Sequence, residues 1–264
     1  MILNKENYHS KEANEFYFSN SQYGDFVKCE AMAMAKIRGE YIAPSNEAYS
    51  LGSYIHAWNE GQEAMDEFIA HTPELFRQDG RLYAKYEVAY RMIAVLREDP
   101  LIQIALQGDK EVIITTDMFG APWKIKMDVL NREKGRFTDI KTVKAIHEKV
   151  WHKKYGYTNF VEAYEYVRQM AIYANVEKVH AGRDEWLEAL IVAVSKEDDP
   201  DKAVITFDEE SLQRELEEVE QNMPRFIAIK KGWEKPNRCE RCKYCRQTKK
   251  LTKTIHFMDL LEAI

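Results

Sequence analysis

The chain has 264 residues, enough for one large domain or two small ones, and its 45% hydrophobic content supports a sizeable core. No apolar run is long enough to span a membrane, and the polar, mixed-charge N-terminus MILNKENYHSKEANEFYFS lacks the pattern of a signal peptide, so a cytoplasmic protein is expected. A net charge of −6 argues against a general nucleic-acid coat, but leaves room for an enzyme with metal-binding acids and local basic patches.

Residues 1–20 read as an irregular arm. Ser19 or Asn20 can cap a helix through Phe26, Cys29, Met32 and Met34. Cys29, the only cysteine before residue 239, has the bland reading of a small buried hydrophobe. Pro44-Ser45-Asn46 marks a loop, and a helix is expected from Asn46 to Ile69, with Gly52 and His56 one turn apart. The small Gly52 would let that helix approach a sheet closely. A second helix is expected over Leu82–Leu96, with Glu87 an ordinary solvated carboxylate.

Glu111 opens a strand, EVIITTD, before the turn Phe119-Gly120-Ala121-Pro122. In the next strand Trp123, Ile125, Met127 and Val129 alternate with Lys124, Lys126 and Asp128. Asn131–Gly135 supplies the turn. In the third strand Phe137, Asp139 and Lys141 point one way, and Thr138 and Ile140 the other. The meander can bring Asp128, Asp139 and Lys141 together. Two readings stand for such a group: a solvated edge with a salt bridge, or a hard-cation site with a lysine beside the attacking water.

Thr142–Lys154 is basic, carrying Lys144, Lys149, Lys153 and Lys154 with His147 and His152. It is either a solvated face or a path for a nucleic-acid backbone. Tyr155-Gly156-Tyr157 reads as a turn before a helix over Asn159–Val176, on which Gln169 and Tyr173 share a face. Trp186–Val194 and Ala203–Phe207 read as strands, and Glu209–Lys230 as a helix. This order implies an α/β fold, a mixed sheet flanked by helices, with a helical N-terminal part.

Arg238-Cys239-Glu240-Arg241-Cys242-Lys243-Tyr244-Cys245 is a C-x-x-C-x-x-C run. Cytosolic chemistry disfavours disulfides, so three thiols at this spacing point to a metal centre, with Cys29 as the fourth ligand. Zn²⁺ or a [4Fe–4S] cluster satisfies four thiolates, and three reduced, unliganded thiols are the bland reading. Arg238, Arg241, Lys243, Arg246, Lys249, Lys250 and Lys253 surround the run as a DNA-facing patch or a solvated tail.

Asp128, a turn and Asp139-Ile140-Lys141 resemble the D…(D/E)xK core of PD-(D/E)XK nucleases. Gly52-x-x-x-His56, Glu111, Gln169-x-x-x-Tyr173 and the terminal cysteines resemble the RecB-like branch, and DIKTVKA, RQMAIYA and SKEDDP its RecE-type phage exonucleases (exodeoxyribonuclease VIII). The resemblance implies one restriction-endonuclease-like domain over 1–264: a helical part at 1–106, a catalytic core at 107–208, and a C-terminal helix with the cysteine cluster at 209–264. It implies Mg²⁺ (or Mn²⁺) on Asp128, Asp139, the Ile140 carbonyl, His56 and Glu111, with Lys141 acting on the water and Gln169 and Tyr173 supporting the substrate. RecB-like nucleases with one early and three late cysteines carry an iron–sulfur cluster, although the last spacing here is shorter than the common form, which keeps zinc open. The implied function is a DNA exonuclease that resects linear duplex ends for a single-strand annealing recombinase, as a homo-oligomer, phage or prophage encoded and acting in the bacterial cytoplasm. Two alternatives stand beside it: a single-strand nuclease resembling CRISPR adaptation nucleases, and a non-catalytic DNA-binding or adaptor module.

Overall fold

The computed structural model describes residues 1–42, 47–251 and 254–260, with the backbone alone at 47–50 and 259–260. The expected loop at Pro44-Ser45-Asn46, the helix start at Asn46 and Lys253 therefore lie outside the described residues. The helices are α1 Lys11–Phe16, α2 Asn20–Lys28, α3 Glu30–Ile37, α4 Glu47–Glu60, α5 Gln62–His71, α6 Val88–Glu98, α7 Pro100–Ala105, α8 Phe160–Ala163, α9 Tyr166–Ala181, α10 Glu209–Lys230 and α11 Lys243–Gln247. The strands are β1 Asp109–Met118, β2 Ala121–Asn131, β3 Arg136–Val143, β4 Val150–His152, β5 Gly156–Thr158, β6 Glu188–Ser195 and β7 Lys202–Thr206. No described helix is long and apolar enough to cross a membrane.

Five strands form a mixed sheet in the order β1-β2-β3-β6-β7, and β4 pairs with β5 in a separate hairpin. Neighbours run antiparallel except β3 and β6, which are parallel. Both faces of the sheet are covered, and β6 displays the consequence. Its Ala189, Ile191 and Ala193 enter one apolar cluster, while Leu190, Val192 and Val194 enter the other. A strand buried on both faces is a continuous apolar run. Each of its large side chains contributes about 1.5–3 kcal/mol of burial. The first cluster takes in residues of α2, α3, α9 and α10, and the second residues of α4, α6 and α7.

Several expected elements are divided. The first helix breaks at Cys29, whose extended backbone (φ −172°) closes α2 and opens α3. The Asn46–Ile69 helix breaks at Gly61, where φ is +132°. The Leu82–Leu96 helix starts only at Val88, after a 3₁₀ turn over Ala84–Tyr86. Within the expected irregular arm, Ser10 accepts the Ala13 N–H and starts α1. The Tyr155-Gly156-Tyr157 turn belongs to the β4–β5 hairpin. The Asn159–Val176 helix breaks at Glu165, which is left-handed (φ +59°). Asp99 caps α7, a turn hidden in the sequence by its brevity.

Candidate active site and cysteine centre

The site forms where two strands part. β2 and β3 pair at Asn131↔Arg136, Leu130↔Phe137 and Val129↔Thr138, and no further. β3 continues beside β6 as far as Val143↔Ser195. Further back on β2, Phe18 takes up the vacated edge: its N–H donates to the Pro122 carbonyl and its own carbonyl accepts from Lys124 N–H, both at 2.8 Å. Between Phe18 and Thr138 the edge of β2 is open, and the Asp128 carboxylate fills it by accepting the Ile140 N–H at 2.7 Å.

The alternation of β2 slips at this level. Trp123, Ile125 and Met127 lie in one core cluster, but Val129 lies in the other and Leu130 returns to the first. The expected common face for Val129 and Met127 is therefore corrected. Opposite, Glu111 falls between the paired positions Lys110↔Val129 and Val112↔Met127 with φ +52°. Such backbone is costly for a residue with a Cβ, and it concentrates at functional sites. Glu111 is thus a buried residue inside β1, in place of the exposed strand-end carboxylate of the bland reading, and Lys126 Nζ lies 2.5 Å from its Oε2.

Asp128 and Asp139 are 6% and 3% exposed. Two acids buried so closely need nearby cations. From α4, His56 Nδ1 approaches Asp128 Oδ1 at 3.3 Å. From α9, Gln169 Nε2 donates to Asp139 Oδ1 at 2.7 Å. Lys141 Nζ lies 2.7 Å from Asp139 Oδ2, so each oxygen of this carboxylate faces a donor. The same ammonium sits 4.6 Å from the Tyr166 ring centroid. Burial works against ionisation of Asp128, but His56 and Lys141 hold its carboxyl below the usual range. Burial, aided by Asp128, pushes Asp139 up to about 6 against the pull of Lys141. Burial would lower His56, yet the three surrounding acids raise it to about 9.

His56, Glu111 and Asp128 each offer a ligand atom within 4.8 Å of the others. Asp139, Ile140, Lys141, Gln169 and Tyr173 line the same cleft of 840 Å³. Burial holds the Tyr173 phenol well above its ordinary range. Gly52 also lines the cleft, and a Cβ there would stand 3.4 Å from Thr142 Oγ1, so α4 does approach β3 closely. Sequence reasoning missed Tyr8, Lys124, Lys126, Tyr166 and Lys196, which share the cleft. Tyr166 carried a signal, three residues before Gln169 on one helical face. Tyr8 carried none, because only tertiary packing brings the arm here.

The basic run is partly neutralised. Lys144 pairs with Glu148 at 2.6 Å, Lys154 with Glu218 at 2.6 Å, and His152 Nε2 approaches Glu165 at 3.7 Å. Glu87 pairs with Arg77 and is half exposed, as an ordinary carboxylate would be.

The four cysteines converge. Their sulfur atoms all lie within 4.8 Å of one another, with Cys29 and Cys245 at 3.6 Å. Cys242 caps α11 by accepting the Cys245 N–H at 3.4 Å, and Cys239 Sγ accepts the Cys242 N–H at 3.3 Å. Backbone N–H groups aimed at sulfur stabilise thiolate. Despite some burial, the backbone N–H groups of Arg241 and Cys242 lower the Cys239 thiol to about 6. The break at Cys29 is what carries its thiol to the cluster.

The PDDEXK-like domain of unknown function (DUF3799) matches residues 19–248. The crystal structure of a "Putative exonuclease" from Eubacterium rectale superposes with a TM-score of 0.92 and 36% identity, covering 100% of both chains. That of SSO0001 aligns at a TM-score of 0.25 and 14% identity over 85% of this chain and 91% of that one, too low to bear on the fold. No curated protein matches the sequence.

Proposed function

Because the chain belongs to the PDDEXK-like domain family of the PD-(D/E)XK nuclease superfamily, we propose that it is a divalent-metal-dependent DNA exonuclease of the RecE type, which resects linear duplex ends to single-stranded tails. The observation that carries this reading is the pair of buried acids at the parting of β2 and β3, with Lys141 between Asp139 and the Tyr166 ring.

The donor set fits a hard cation: carboxylate oxygens predominate, and His56, Glu111 and Asp128 bring ligand atoms within 4.8 Å of one another. Asp128 and Asp139 would hold Mg²⁺ or Mn²⁺, with the Ile140 carbonyl, His56 and Glu111 completing the set. When bound, the metal neutralises charge on the phosphate and acidifies water. Lys141 holds a positive charge where negative charge develops in the transition state. Gln169 fixes the rotamer of Asp139 through Oδ1, and Lys141 lies against Oδ2. Lys126 neutralises Glu111, which would otherwise be a buried unpaired carboxylate. Tyr173 and Gln169 form the wall against which the substrate strand lies.

The cysteine centre has a structural role, tying α3 to the C-terminal segment. Four thiolates on one tetrahedral ion stand about 3.8 Å apart, given Zn–S bonds near 2.3 Å. The sulfur separations support this zinc alternative over the [4Fe–4S] cluster implied by the resemblance, because a cluster with its four irons at alternate corners of a cube, each bound by one thiolate, spreads the thiolates further.

The RecE-type reading also assigns a homo-oligomer that partners a single-strand annealing recombinase in a bacterial cytoplasm, from a phage or prophage gene. Its support is the sequence resemblance together with the acidic net charge, which suits an exterior that repels DNA around a basic interior. The test is a time course on end-labelled linear duplex DNA with Mg²⁺, beside closed circles. Degradation of the linear form alone is expected. Equal rates on both would make the chain an endonuclease, and no cleavage of either would leave a non-catalytic DNA-binding module.

A further inference from the structure

We propose that the β4–β5 hairpin is a stacking platform for the unpaired bases of a DNA strand on its way to the cleft. This rests on the nuclease reading and specifies how that site takes its substrate. Trp151 and Tyr157 are directly opposed across the hairpin, with ring centroids 5.3 Å apart. They are 65% and 73% exposed. Opposed aromatic rings stabilise a short hairpin, but that role does not require leaving most of an indole in water.

The hairpin beneath these rings is anchored. Val150 packs on the core, and β4 rests on α8. Lys154 pairs with Glu218, and the Tyr155 hydroxyl donates to Glu215 at 3.0 Å, both acids lying on α10. The aromatic face is therefore presented by a fixed support. Lys149 and Lys153 flank it, both exposed, and neither has a carboxylate partner among the described residues. Rigid aromatic faces beside unpaired lysines match a strand whose bases and phosphates are both accessible.

The hairpin that carries the platform also contacts the segment leading to the catalytic residues. His152 reaches Glu165, in the turn between α8 and α9. That turn carries Tyr164, 52% exposed, whose ring lies 5.9 Å from Tyr166, and Tyr166 lies beneath Lys141. A duplex hides its base faces in its own stack and gains little from such a surface. An unpaired strand gains on every ring, so the platform favours frayed or resected ends over blunt ones.

The test measures binding of the full-length protein to a short oligothymidylate without added divalent metal, so that no cleavage intervenes. Trp151→Ala and Tyr157→Ala are each expected to weaken single-strand binding about tenfold. Trp151→Phe keeps a stacking face and is expected to stay close to wild type, with blunt-duplex affinity unchanged in every variant. In the wild-type protein the oligothymidylate is expected to quench an emission component that Trp151→Phe lacks, which reads the contact without any destabilising change. Unchanged single-strand affinity in folded Trp151→Ala, or equal quenching in wild type and Trp151→Phe, overturns the platform. So does an oligomer that dissociates in Trp151→Ala at unchanged DNA affinity, because a second copy would then cover the rings. Cleavage with Mg²⁺ is scored separately: a chain that cuts DNA but ignores Trp151 loses the platform alone, and one that binds through Trp151 without cutting keeps the platform and loses the nuclease reading.

Discussion

The Ile140 N–H donates to Asp128 Oδ2 at 2.7 Å, bridging β2 and β3 at the level where their ladder has stopped. A side chain thus replaces a strand partner. The same carboxylate faces His56 through its other oxygen, so one residue closes a gap in the sheet and opens the site. Structure and chemistry at Asp128 can be separated by choosing substitutions that keep the acceptor and remove the charge.

Asp128→Asn keeps an oxygen for Ile140. It is expected to abolish cleavage, by about 10³-fold or more, at little cost in stability. Asp128→Ala leaves the buried Ile140 N–H unpaired and is expected to cost a further 1–3 kcal/mol or so of stability. Asp139→Ala and Lys141→Ala should lose cleavage to a similar degree while remaining folded. Single-turnover rates with Mg²⁺ beside urea denaturation check these outcomes. A near-wild-type rate for either aspartate variant would remove the assignment of the site.

Gln169→Ala frees Asp139 to rotate. The expected loss is about 10–100-fold in kcat with KM little changed, the usual scale for a residue that orients a ligand. Gln169→Glu places a like charge against Asp139 and should be worse. Titration of the rate with Mg²⁺ should show a higher half-saturating Mg²⁺ concentration in both variants. An effect confined to KM would leave Gln169 with its substrate contact alone and remove its role in orienting Asp139.

The three-strand meander, the acid pair, the buried sixth strand and the cysteine run are legible because each rests on local pattern: alternation in β2 and β3, the continuous apolar run of β6, and C-x-x-C spacing. The convergence of Cys29 on the late cysteines followed from counting thiols. What escaped was set by tertiary context. The breaks at Cys29 and Glu165 occur in residues with no turn propensity of their own, and they are held by what the side chains meet: the other thiols, and Arg168 with His152. The slip at Asp128 hides because Met127, Val129 and Leu130 are all apolar, so either phase of alternation reads the same. Lys126 was visible on the Asp128 face of β2, but its partner Glu111 required the register of β1.

Cys29→Ser and Cys242→Ser should destabilise the chain equally and lower its metal content equally, because both thiols belong to one centre. Protein prepared without oxygen is expected to be colourless and to hold one zinc ion per chain. Prolonged treatment with a strong chelator should lower the melting temperature of wild type and leave Cys29→Ser unaffected. Brown protein with iron and sulfide would restore the [4Fe–4S] alternative. Metal content independent of Cys29 would exclude a four-ligand centre of either kind.

Lys230, at the end of α10, donates to the Tyr17 carbonyl at 2.6 Å and to Gln22 Oε1 at 2.9 Å, and its ammonium lies 4.2 Å from the Phe18 ring centroid. No carboxylate contacts it among the described residues. Burial, reinforced by Lys124, lowers its pKa from 10.5 to about 7. The folded form therefore binds fewer protons than the unfolded chain between those two values, and stability rises with pH across that window. The destabilisation is full below pH 7, shrinks as pH climbs, and is gone above 10.5. Between pH 7 and 9 the gain is about 2 kcal/mol for this group. Lys230→Met removes the titration and keeps most of the packing. Its stability should gain less than that of wild type over the same interval, so the difference between the two proteins changes by about 2 kcal/mol. Urea denaturation at pH 7, 8 and 9 reads that difference directly. Parallel pH profiles would mean that Lys230 stays fully charged in the folded chain, its hydrogen bonds to Tyr17 and Gln22 outweighing its burial.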